Sequence, residues 1–256
     1  MHPDLPITKV NEDLYERGHF ARHLASCLLL PEGAPSIVVG IEGKWGEGKT
    51  SCINMIRQIL SENKEKPIIV DYAPWLISTL DSLIEGFFVQ LAATVGTSVK
   101  GVRATTATTK ILQFAKMLAP IKLVPGVEPW GSIVERIISS VGNATQAGIN
   151  LMDLSLQARK EDLQQHLGKL RRPIVVIIDD IDRLPPEHVR TVFQMLKAVT
   201  DFPRVAYLVA YDPDPVFQAL SYNGIYDGRL YLEKLVQVSY PIPRISYIHR
   251  KEHLES

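Results

Sequence analysis

The stretch from Ile37 to Ser51 constrains this chain more than any other part of it. An apolar, largely β-branched run (Ile37 to Ile41) leads into a glycine-rich turn, then Lys49-Thr50-Ser51 and the amphipathic segment Cys52 to Leu60. The order is strand, loop, helix, and Gly43, Gly48, Lys49 and Thr50 complete the pattern G-x-x-x-x-G-K-[ST]. Glycines are needed because the loop must turn its N–H groups inward around anionic oxygens, through backbone angles that a Cβ disfavours. The spacing predicts that Gly43, Lys44, Trp45, Gly46, Glu47, Gly48, Lys49, Thr50 and Ser51 surround the phosphates of a nucleoside triphosphate. Lys49 is expected to reach the β and γ phosphates as a binding and catalytic group, and the Thr50 hydroxyl to ligate Mg²⁺. The positive end of the following helix points at the same anion.

At 256 residues the chain is long enough for one α/β domain with a full core. Its 28 basic and 28 acidic residues balance, so bulk charge gives no reason to expect nucleic acid. Cys27 and Cys52 have neither metal-ligand spacing nor the density of a disulfide scaffold, which fits a reducing cytoplasm. His19 and His23 stand four apart on an expected helix, but without a nearby third ligand they read as solvated or capping residues. Met1-His2-Pro3-Asp4 lacks a basic region followed by an apolar core, so no secretory signal is expected.

Along the chain, an extended lead-in to residue 12 precedes a helix predicted from Asp13 to Leu30. Phe20 on that helix, with Arg17 nearby, is read either as core packing or as a cover for an adenine base. A second strand is expected at Pro67 to Asp71, and a helix at Ser78 to Val95. The threonine-rich Thr105 to Thr109 reads as a loop. Residues 96–157 form a helical insertion, pictured as a partly exposed hairpin, with Ile111 to Val127 broken by Pro120 and Pro125 and a helical piece from Ile133 to Leu156. Neither piece has the roughly twenty uninterrupted apolar residues of a spanning helix, so a cytoplasmic protein, at most peripheral to a membrane, is expected. Regular elements return with a helix from Ala158 to Leu170, a strand from Pro173, and a helix from Pro185 to Thr200. A strand from Arg204 to Ala210, a helix from Asp214, and a helix running into a strand between Leu230 and Val238 follow.

Pro173 to Ile178 is a continuous apolar run that ends in Asp179-Asp180, the Walker B pattern, in which a strand end delivers a carboxylate to the crevice holding the phosphate loop. Asp179 is expected on the Mg²⁺ side, and Asp180 as the acid/base that handles the attacking water. Asp182 and Arg183 read either as a helix-capping ion pair or as part of the site. Tyr211 and Asp212, at the next strand end, stand where a polar sensor of the γ phosphate is expected. Arg183 and Arg229 are the candidate arginine fingers, in cis or from a neighbouring subunit.

These residues together resemble the KAP family of P-loop NTPases, related to the STAND and AAA+ ATPases. The likeness rests on Gly43-x-Trp45-Gly46-x-Gly48-Lys49-Thr50, Trp75 after the second strand, Ile178 to Leu184, Asp201-Phe202-Pro203, Ala210-Tyr211-Asp212 and Tyr231 to Gln237. The resemblance implies ATP hydrolysis coupled to a conformational or assembly switch, with bacterial members tied to phage exclusion and others to membrane-linked signalling. Family members often carry membrane helices between the Walker motifs and continue past the point matching Pro243, so a short or truncated member is expected here. The expected architecture is a single three-layer α/β P-loop domain over residues 1–256, its parallel sheet between helices. The expected activity is a Mg-dependent ATPase, acting with a protein partner or as a homo-oligomer. The alternatives are a nucleotide-gated binding module with little turnover and a small-molecule kinase. The adjacent acids favour water activation over the kinase.

Overall fold

Apolar strands alternate their side chains between two faces, and here both faces are covered. The computed structural model describes residues 5–76, 80–99, 101–118, 146–221 and 227–244. Five strands, β1 (Ile37–Glu42), β2 (Ile68–Tyr72), β3 (Ile174–Ile178), β4 (Val205–Tyr211) and β5 (Val238–Pro241), form one parallel sheet in the order β2-β3-β4-β1-β5. Every residue of β3 and β4 is buried, which is why they read as unbroken apolar runs. On one face, Val39, Ile41, Val175, Ile177 and Leu208 pack with Leu24, Leu28, Ile53 and Ile56 of α1 (Gly18–Leu28) and α2 (Lys49–Glu62). On the other, Val38, Val176, Ile178, Tyr207 and Val209 meet the remaining helices. These are α3 (Leu80–Ser98), α4 (Val102–Leu118), α5 (Gln146–Gly168), α6 (Pro186–Val199), α7 (Pro213–Ser221) and α8 (Gly228–Glu233). The expected three-layer α/β arrangement, a parallel sheet between helices, is therefore present.

Two local expectations are corrected. The first helix begins at Gly18, not Asp13. Glu16 takes a left-handed φ of 56°, and the Asp13 carboxylate accepts from the Gly18 and Tyr15 N–H groups at 2.6 and 3.1 Å. Asp13 to Arg17 is thus a capping turn, and Leu14 is left exposed. The second correction is Thr105 to Thr109, which lies inside α4 rather than in a loop. The Thr106 and Thr109 hydroxyls donate back to the Val102 and Thr105 carbonyls at 2.8 and 2.9 Å, so they do not compete with the helix ladder. Burial decides the rest, because Ala104, Ala107, Ile111 and Phe114 of α4 face the core.

Within the expected 96–157 insertion, α4 thus packs one face into the core, and Lys110 pairs with Asp162 of α5 at 2.7 Å. That pair holds the Asp162 carboxyl below the ordinary range. Pro120, Pro125 and the segment 119–145 lie outside the described residues, as do residues 1–4 and the tail from 245 to 256. Among the described residues no helix is long and apolar enough to cross a membrane. Phe114 meets Phe88 and Phe202 edge-on, with ring centroids 5.4 and 6.3 Å apart. Phe114→Ala is expected to cost about 3–5 kcal/mol in urea unfolding. A loss under about 1 kcal/mol would mean that α4 is not part of the core.

Candidate functional site

At the C-terminal ends of β1 and β4 the backbone makes a sharp change of direction. The Gly43 N–H donates to the Tyr211 carbonyl at 3.1 Å, fixing where the loop leaves the sheet. Gly46 and Gly48 then take φ values of 81° and 90°, in the left-handed region that favours glycine. Gly48 is the N-cap of α2 and carries no side-chain cap, so among the described residues no side chain caps the first-turn N–H groups of this fourteen-residue helix, which can face an anion. The Glu47 carboxylate turns back to accept from the Lys44 N–H at 2.7 Å. The loop borders a cleft of about 280 Å³, which Lys44, Trp45, Gly46, Gly48, Lys49, Thr50 and Ser51 line together with Asp180 and Arg183.

Lys49 is 7% exposed, and its ammonium donates to the Gly43 carbonyl at 2.8 Å. It also stands 3.6 Å from the Asp182 carboxylate, whose other oxygen has no hydrogen-bond partner among the described residues. Thr50 and Asp179 meet directly, the Thr50 hydroxyl donating to Asp179 at 3.0 Å. The second Asp179 oxygen accepts from the Asp180 N–H at 2.8 Å. Burial raises the Asp179 carboxyl above its ordinary range, against the opposing effect of these donors. Asp180 is raised by burial and then by the charge of Asp179. A hydroxyl and a buried carboxylate side by side form the hard oxygen pair that suits Mg²⁺.

A sequence model of the KAP family P-loop domain matches residues 17–255. The chain belongs to the KAP family. The phage T7 exclusion protein of Escherichia coli (strain K12) is 28% identical over 258 residues, an alignment that covers 94% of this chain and 34% of that relative. The chain therefore spans about a third of that relative's length.

The KAP domain brings Lys49, Thr50, Asp179 and Asp180 together and sends other candidates elsewhere. Phe20 packs edge-on against Tyr240 with centroids 6.4 Å apart, the core-packing alternative. His23 approaches the same tyrosine, its Nε2 lying 3.2 Å from the hydroxyl. Tyr211 is wholly buried and donates to Glu42 at 3.0 Å, while Asp212 accepts from the Asp214 N–H at the start of α7. Arg229 lies over the Phe217 ring and lines a separate cleft of about 250 Å³ with Glu42 and Asp214. Arg183, in contrast, lies in the cleft. Its Nε is 2.8 Å from Asp180, and its guanidinium sits 4.6 Å from the centroid of the Trp45 ring. Cys52 is buried, and burial pushes its thiol up to about 11, so it offers no thiolate at neutral pH.

Three contacts were beyond sequence reading: Arg183 on Trp45, Lys49 on Asp182, and Arg17 against the loop. Asp182-Arg183 was visible as a charged pair, but no local signal says which partners it meets.

Burial of the Asp179 carboxyl links its protonation to folding. The folded state holds this proton more tightly than the unfolded chain does, so the associated stability is complete below the unfolded pKa and is lost as pH rises through the folded value. Asp179→Asn is therefore expected to raise the unfolding temperature at neutral pH in Mg-free, nucleotide-free buffer. The advantage should shrink toward the ordinary carboxylate pKa of about 4. A variant no more stable than the parent at pH 7 would refute this account of the carboxyl.

Proposed function

We propose that this KAP domain binds Mg-ATP in the cleft and hydrolyses it, coupling nucleotide state to a conformational or assembly change. The observation that carries the reading is the 3.0 Å contact of Thr50 with Asp179, which places the loop and the strand-end acid at one point although they are far apart in sequence. In this reading the free N–H groups at the start of α2 and the Lys49 ammonium hold the β and γ phosphates. Thr50 and Asp179 hold Mg²⁺. The bound ion neutralises charge on the transferring phosphoryl group. Asp180 orients the attacking water and accepts its proton, a task favoured by a carboxyl raised above its ordinary range.

A second reading, an ATP-gated module with little turnover, has one observation in its favour. Asp180 is paired with Arg183, which is itself stacked on Trp45, so the water-activating acid is engaged until that arrangement opens. The test is a phosphate-release assay on the purified chain in ATP and Mg²⁺, alongside nucleotide binding followed by Trp45 fluorescence. Binding without release supports the gated module, and neither binding nor release removes both readings. The relative's name extends the proposal to phage exclusion, which a plaque assay in a strain carrying the parental or Lys49→Ala protein tests.

A further inference from the structure

We propose that Arg17 is a positioning residue for the phosphate loop, holding the Glu47–Gly48 peptide in the orientation that presents the Gly48 N–H to the triphosphate. The inference rests on the loop being the triphosphate site, and it assigns a role to a residue outside both Walker motifs.

Arg17 is 5% exposed, yet among the described residues it forms no ion pair with a carboxylate. Its guanidinium is held by two backbone carbonyls and lies over the Tyr15 ring, 5.8 Å from the centroid. Nη1 donates to the Glu47 carbonyl at 2.7 Å, and Nε and Nη2 donate to the Pro243 carbonyl at 3.1 and 2.8 Å. A buried guanidinium without a counter-charge is costly, so an arrangement that tolerates one calls for a physical reason.

The geometry supplies that reason. In a trans peptide the C=O and the following N–H point in opposite directions, and the described chain has no cis bond. Fastening the Glu47 carbonyl to Arg17 therefore turns the Gly48 N–H away from Arg17, and Gly48 lines the cleft. Contact with the loop is close, since a Cβ on Gly48 would stand 2.7 Å from Arg17 Nη1. A side chain at Gly48 would be strained by the φ of 90° and would also push the guanidinium from its place.

The same fork grips the chain leaving β5. Ile242 donates its N–H to the Glu42 carbonyl at 2.8 Å, and Pro243 accepts from Arg17, so this segment is fastened beside the loop at two points. A lysine has a positive charge but no planar fork able to span two carbonyls. A bridging role therefore predicts that arginine cannot be replaced by lysine, whereas a purely electrostatic role predicts that it can.

The experiment compares the parent, Lys49→Ala, Arg17→Lys and Arg17→Met by equilibrium dialysis with Mg-ATP. It is run at a temperature at which circular dichroism finds each protein folded. Both Arg17 variants are expected to bind roughly ten- to a hundredfold more weakly than the parent, the range for losing hydrogen bonds from a charged donor. A merely structural role would lower their unfolding temperatures while leaving the affinity of the folded protein at the parental value, which overturns the proposal. Parental affinity in Arg17→Lys alone also overturns it, because charge without the bridge would then suffice. If the parent does not bind Mg-ATP, or Lys49→Ala binds it equally well, the triphosphate reading itself fails and this inference falls with it.

Discussion

Lys49→Ala is expected to weaken Mg-ATP binding by roughly a hundredfold or more, because one ammonium is lost from two phosphate contacts, each a charged hydrogen bond. From sequence, Lys49 reads as a residue whose removal leaves the fold untouched. Its burial and its approach to Asp182 at 3.6 Å change that expectation. Without the ammonium, Asp182 becomes a buried carboxylate with no cation beside it, so the variant should also unfold at a lower temperature. Lys49→Ala combined with Asp182→Asn separates the two effects. The pair is expected to recover thermal stability and to remain defective in binding. Recovery of Mg-ATP affinity in the double variant would show that the single variant failed through misfolding and that Lys49 does not hold the phosphates.

Asp180→Asn is expected to bind ATP nearly as the parent does and to hydrolyse it about a hundredfold more slowly or worse, the scale for losing a positioned acid/base. Asparagine is the informative replacement because position 180 takes a left-handed φ of 59°, which asparagine tolerates better than alanine. Asp179→Asn should fail differently, losing the Mg-dependent part of the affinity because it removes a charge beside Thr50. Single-turnover hydrolysis and nucleotide affinity, measured on the same preparations, distinguish the two. Parental hydrolysis by Asp180→Asn would remove Asp180 from the chemistry.

What was legible in the sequence was what is encoded locally. Ile37 to Ser51 announces strand, loop and helix within fifteen consecutive positions, and the apolar run before Asp179 announces a strand buried on both faces. Thr105 to Thr109 reads as a loop because threonine's weak helix preference is the local signal, and it is overturned by Ala107, Ile111 and Phe114, whose burial against α3 no local window contains. The roles of the arginines were illegible for the same reason. Arg17 meets a carbonyl 226 positions away, and Arg183 meets an aromatic ring supplied by the loop. Glycine patterns and apolar runs state their own conformation, whereas a charged side chain states nothing about its partner.

The placement of β4 between β1 and β3 has a consequence for how variation acts on this domain. The strand that carries the loop and the strand that carries the acids are held two inter-strand steps apart, about 9.6 Å at the usual spacing. That gauge is backbone, set by the ladders from Ile37 with Ala206 and from Ile174 with Val205 onward. The side chains of β4 point into the two packed layers and are all buried, so exchanging them alters how many molecules fold without altering the width the gauge sets. Defects in β4 should therefore appear as missing protein, with each surviving molecule turning over at the parental rate. Defects in the loop and the acids should appear as abundant protein that does nothing.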